Sequence, residues 1–191
     1  GFLAALGAGL TVVFGGAAYL GYQVLTKSGE EYAELGAEFV AAGDYEEAAK
    51  AYGRAVGHDR TNVEWLRAWR DALVETRPAT EVEYNQAYQT FYIGSLNNLA
   101  VLQPYELEPQ MEFLDAYYED AKLSPGSPAV WQRLADTASD RYDQLPDQTE
   151  GRDRLLRFRG LASIRLLQML PGEAGAFERA VEDLERAIAA D

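Results

Sequence analysis

The sequence predicts an all-α protein: a single apolar N-terminal helix followed by an α-solenoid of antiparallel helix pairs. Three observations carry this. Through Tyr32–Asn62 the apolar residues recur at three- and four-residue steps, the period of an amphipathic helix. Residues Phe2 to Thr26 contain no charge at all. Alternating apolar–polar runs, the mark of a half-buried strand, are missing from the 191 residues.

The uncharged stretch, FLAALGAGLTVVFGGAAYLGYQVLT, comes first. As a helix it would be about 37 Å long at 1.5 Å per residue, enough for a hydrocarbon core of about 30 Å. A secretory signal has a shorter apolar core and is removed. Ala5/Gly9, Thr11/Gly15 and Ala17/Gly21 follow the small-xxx-small spacing that lets two backbones approach, so this helix is a candidate for self-association. Gly and Ala are also simply common in membrane spans. Tyr19 and Tyr22 suit an interfacial belt at its end. Membrane lipid, or copies of the chain in a homo-oligomer, would cover it. The first segment is thus 1–27, and 28–191 form the solenoid.

Ser28 with Glu31 opens the next helix as a capping box. Tyr32, Leu35, Phe39 and Val40 line one side of it, and Gly43-Asp44 ends it. Glycine tolerates the left-handed conformation of a helix end, and Asp44 accepts from the free amides of the helix that follows, with Glu47 completing a second capping box. Tyr45, Ala48, Tyr52, Ala55 and Val56 share one side of that second helix. Gly36, Ala48 and Ala55 sit where the pair must approach closely.

These residues, with the closing Asp59 and Asn62, resemble a tetratricopeptide (TPR) repeat spanning the 34 residues Gly29–Asn62. Arg60 stands where the family usually has proline, and coverage is limited to this unit, the later helix pairs being degenerate or lengthened. The resemblance implies a right-handed superhelix of helix pairs that binds other proteins on a concave face, and no enzyme. It places the groove of the first unit at Glu34, Glu38 and Ala41, an acidic lining suited to a basic or amide-rich peptide.

Further along, Thr61-Asn62 opens a helix to about Glu75 with Trp65, Leu66, Trp69 and Leu73 on one face. After Pro78, a long helix runs from Glu81 to about Val101, and another from Glu106 to Leu123. Ser127 as cap and Pro128 as first helical residue start AVWQRLADTASDRY, which is similar to a repeat's first helix although pairing from the front makes it a second. A long helix from about Asp147 to Leu170 follows, then a last one lined by Phe177, Ala180, Val181, Leu184, Ala187 and Ile188. Eight helices after the uncharged stretch make four pairs. The start at Gly1 and the end at Asp191, just after a run like a repeat's second helix, read as part of a longer chain or a processed form.

Composition narrows function. The formal charge is −14, all of it from Lys27 onward, which opposes nucleic acid and anionic headgroups. With no cysteine and one histidine there is no thiolate site, triad or imidazole cluster; His58 reads as a solvated residue near a helix end. The acidic pairs Glu30-Glu31, Glu46-Glu47 and Glu119-Asp120 lack the Asp-rich loop of a calcium site and read as solvated helix surface. The glycines of GAGL and FGGAA follow no strand and precede no Lys-Ser/Thr pair, so no phosphate loop is indicated. No cofactor, metal or catalytic residue is expected.

Two features point to binding. Tyr84, Tyr88, Phe91, Tyr92, Tyr105, Phe113, Tyr117 and Tyr118 crowd two successive helices and their joining turn, beside Asn85, Gln86, Gln89, Asn97 and Asn98. They read either as core or as the lining of a groove, with Tyr84, Tyr88 and Tyr92 as protein-binding candidates. Arg152, Arg154, Arg157, Arg159 and Arg165 form a basic cluster that either neutralises neighbouring acidic helices or receives an acidic patch of another copy. The expected function is a membrane-anchored, extracytoplasmic scaffold for protein–protein interaction. The alternative is an extracellular fibre subunit with the apolar helix in the polymer core.

Overall fold

A computed structural model describes residues 27–76, 89–170, 172 and 174–191. The uncharged stretch, with Ala5, Gly9, Thr11, Gly15, Ala17 and Gly21, lies outside them. Among the described residues no helix is long and apolar enough to cross a membrane. They form eight α-helices and no strand. The chain divides into two compact units, Gly1–Ala72 and Leu73–Asp191.

The first unit holds α1 (Gly29–Ala42), α2 (Tyr45–His58) and most of α3 (Val63–Glu75). Local chemistry starts and stops each. The Ser28 hydroxyl accepts from the Glu31 amide at 3.2 Å while the Glu31 carboxylate accepts from the Ser28 amide at 2.6 Å, the capping box that the spacing predicts. Gly43 ends α1 at φ 77°, a conformation that side chains rarely adopt. The Asp44 carboxylate then takes the Glu47 amide at 3.2 Å. The second capping box is only half made, because the Glu47 carboxylate pairs with Lys50 at 2.7 Å. Asn62 caps α3, its side-chain oxygen accepting from the Trp65 amide at 3.1 Å.

Packing in this unit is small against large. Tyr32, Ala48, Tyr52, Ala55, Val56, Leu66 and Ala72 are buried. The turn at Gly43-Asp44 folds α2 back on α1, and Gly36 lies against the Tyr52 ring: a Cβ there would stand 2.9 Å from three ring carbons. The expected apolar side of α1 is covered only in part. Tyr32 is buried and Leu35 and Phe39 are half-buried, whereas Val40 is exposed near the helix end.

The second unit contains α4 (Gln89–Leu102), α5 (Leu107–Lys122), α6 (Pro128–Gln144), a short 3-10 turn (Arg152–Leu155), α7 (Leu156–Met169) and α8 (Ala176–Ala189). Residues 81–88 of the long helix expected from Glu81 lie outside the described ones. Each helix packs on the next, and α6 packs more extensively on α7 than on α5. α7 packs on α8 as extensively as on α6, so it is shared between the pair that the resemblance implies and the pair counted from the front. Leu96, Leu114, Trp131, Leu134, Leu145, Leu155 and Phe158 fill the core. Gln110, also buried, donates from Nε2 to the Ala100 and Gln103 carbonyls at 2.8 and 3.0 Å, which ties the end of α4 to α5. Pro128 takes the first turn of α6 as expected, but the Ser127 side chain makes no capping bond.

The long helix expected from Asp147 is not formed; α7 begins at Leu156. Gly151 takes a left-handed φ of 73°, and a Cβ there would meet Leu107 Cδ2 and Arg154 Cδ at 3.1 Å. The turn after it is held from outside. Arg152 Nε donates to the Tyr142 carbonyl at 2.9 Å, and Asp153 accepts from the Tyr142 hydroxyl at 3.0 Å and from both Nε and Nη2 of Arg186. The Arg186 guanidinium, followed by the Tyr142 hydroxyl, holds the Asp153 carboxyl below its ordinary value of 3.8. A carboxyl lowered on folding stabilises the fold above its unfolded value and loses that contribution as pH falls through the folded one. Asp153→Asn is therefore expected to cost about 0.5–1 kcal/mol at pH 7, with allowance for solvent screening of a partly exposed pair. The gap to wild type should close as pH drops below 3.8; denaturation curves taken at several pH values check this.

Candidate functional site

The expected binding residues fall in different settings. Glu34, Glu38 and Ala41 are all exposed on α1, at the i, i+4, i+7 spacing of a single helix face. Tyr84 and Tyr88 lie outside the described residues. Tyr92, on α4, is half-buried and packed against the core of the second unit. The other aromatics divide between core and groove. Tyr118 is half-buried with its ring edge-on to Trp131 at 6.0 Å, and Tyr105 is 71% exposed. Phe113 is buried and stacks on the half-buried Tyr117, ring centroids 5.6 Å apart.

That stacked pair forms one wall of a groove of about 510 Å³ between α4, α5 and α6. Each helix contributes one ridge: Ile93 and Asn97 from α4, Phe113 and Tyr117 from α5, and Thr137, Arg141 and Gln144 from α6. These are i, i+4 and i, i+4, i+7 spacings, the geometry by which a helix lays side chains in a row. Next to those rows, Leu96 and Ala100 on α4, Leu114 on α5 and Leu134 and Ala138 on α6 go into the core. The groove ridges are the flanks of the apolar faces that hold the helices together.

Arg141 dominates the electrostatics. Its Nη2 donates to Asn97 Oδ1 at 3.1 Å and its Nη1 to Gln144 Oε1 at 3.3 Å, and the guanidinium lies 5.6 Å over the Phe113 ring. Burial pushes this guanidinium below its ordinary value, against the opposing charge of Asp140. Burial likewise raises the Tyr117 hydroxyl. The groove therefore offers a flat aromatic wall, a planar cation, amide groups and the Asp140 carboxylate.

A second cavity of about 520 Å³ lies between α6, α7 and α8. An ion pair crosses it: Arg159 grips Asp183 through two bonds of 2.7 and 2.6 Å. The basic cluster is paired in the same way. Arg152 pairs with Asp147, Arg154 with Asp191, Arg157 with Asp115 and Arg159 with Asp183, so these arginines neutralise acidic neighbours within the chain. Arg165 instead lies 5.9 Å over the Trp131 ring. His58 is exposed at the end of α2, tilted against Tyr32 with centroids 5.8 Å apart. Among the described residues no cluster of His, Asp or Glu is placed to hold a metal ion.

Asn97, Phe113 and Tyr117 belong to the aromatic and amide crowd that reads from the sequence as either core or groove lining, and the fold brings them together. Thr137, Arg141 and Gln144 were not. Their only signal was a polar row on a helix read for its apolar residues.

No protein-family model matches the chain, and no curated protein does. Among solved structures it is similar to two described as crystal structures of MamA. One is 18% identical, covering 85% of this chain and 91% of that one with a TM-score of 0.34. The other is 19% identical, covering 81% and 93% with a TM-score of 0.31. Superpositions this loose carry no conclusion about fold or function.

Proposed function

We propose that the chain is a non-catalytic, TPR-type scaffold that holds a segment of another protein in the groove between α4, α5 and α6. The uncharged residues 2–26 tether it to a membrane, with the acidic body on the extracytoplasmic side. The observation that carries the binding role is the groove itself. An aromatic pair faces a polar row across about 510 Å³, whereas the cavity between α6, α7 and α8 is crossed by a made ion pair. The tether rests on the length and lack of charge of the first stretch.

One experiment on the full chain, mixed with phosphatidylcholine liposomes, tests both parts. The chain is expected to float with the vesicles in a density gradient and, so held, to capture peptides from a random dodecamer library. Tyr117→Ala is expected to weaken the captured peptides about tenfold, the loss typical of an aromatic contact at an interface. Because Tyr117 is only half-buried, melting should change little. Equal capture by Tyr117→Ala overturns the groove, and recovery of the chain free of vesicles overturns the tether.

A further inference from the structure

We propose that the groove takes an acidic side chain, Asp or Glu, of the bound protein segment, with Arg141 as its counter-charge. This deepens the reading of the groove as a peptide-binding site and rests on it.

The inference starts from what Arg141 lacks. A guanidinium drawn out of water is costly unless a charge meets it. In the same unit Arg152, Arg154, Arg157, Arg159 and Arg186 each reach a carboxylate. Arg133 and Arg165 have no carboxylate within 4 Å among the described residues, but both are exposed and solvated. Arg141 is half-buried, and its contacts are two neutral amide oxygens and one aromatic face. These orient the cation without neutralising it. In a chain with 31 acidic and 17 basic residues, a partner for it was available at little cost in sequence.

The donors around it match a carboxylate. Asn97 turns its carbonyl oxygen to Arg141, which leaves its amide N–H₂ as a donor beside the guanidinium. The Thr137 hydroxyl stands one turn before Arg141 on the same row. Arginine has five N–H groups, so Nε–H and the second N–H of each terminal nitrogen are still open to a two-oxygen acceptor. Asp140 also lines the groove, beyond ion-pair distance of Arg141, and it sets the limit on charge. It repels a run of acidic residues while tolerating a single one, flanked by apolar or aromatic residues that pack on Tyr117.

The test selects random dodecamer peptides, displayed on phage, on the full wild-type chain and on its R141Q, R141K and Tyr117→Ala variants. Wild-type binders should carry one recurrent Asp or Glu. Exchanging that residue for Asn or Gln should weaken binding about 10- to 100-fold, the range for a hydrogen bond to a charged group. R141Q should lose the same factor and no longer distinguish the acid from the amide, while R141K, which keeps the charge, retains the preference. Peptides that need Tyr117 yet bind equally well as acid and amide would overturn the counter-charge and leave the scaffold standing. A selection that yields no Tyr117-dependent peptide would overturn both.

Discussion

Trp131→Ala is expected to destabilise the second unit by about 3–5 kcal/mol, the cost of emptying a large aromatic site in a close-packed core. Trp131 is 1% exposed. Its ring meets the edge of Tyr118, its Nε1–H donates to the Pro125 carbonyl at 3.1 Å, and Arg165 covers one face. Removing it strips the start of α6 of its anchor and leaves a void among side chains that cannot all collapse inward. A loss of that size is a large share of the whole stability of a typical domain, about 5–15 kcal/mol. Thermal and urea denaturation followed by helical circular dichroism should show the midpoint fall sharply. An unmoved midpoint would mean that Trp131 does not organise this core.

Gly36→Leu is expected to cost the first unit about 1–3 kcal/mol, through overpacking and not through a cavity. Already the Cβ would lie 2.9 Å from the Tyr52 ring, and leucine adds three more carbons beyond it. Tyr52 is 8% exposed, so its ring has no open space to swing into. Leucine gains up to about 1 kcal/mol of helix propensity over glycine, which offsets part of the strain. The clash is specific to one partner, so combining Gly36→Leu with Tyr52→Ala should cost less than the sum of the two single changes. Unchanged melting of Gly36→Leu, or strict additivity of the pair, would refute the packing of α1 on α2 through this glycine.

Much of the helix layout was legible because helix ends are local events. Ser28 with Glu31, Gly43 with Asp44, Asn62 and Pro128 each act within three or four residues of the boundary they mark. The candidate groove was legible in half. Phe113, Tyr117 and Asn97 stood out as aromatics and amides at helical spacing. Arg141 did not, because an arginine on a polar helix face looks the same whether water or protein surrounds it.

By itself the sequence determined the all-α class, the order of helices from α1 to α8 and the close approach of α1 and α2 at Gly36. Period, caps and side-chain volume are properties of neighbouring residues in the chain. Tertiary structure decided that the helix expected from Asp147 begins only at Leu156, after a turn that Leu107, Tyr142 and Arg186 reach from distant positions. It likewise decided that Arg159 meets Asp183 while the half-buried Arg141 meets only amide oxygens and an aromatic face. Burial and ion pairing depend on what the fold brings near, and no spacing along one helix carries that information.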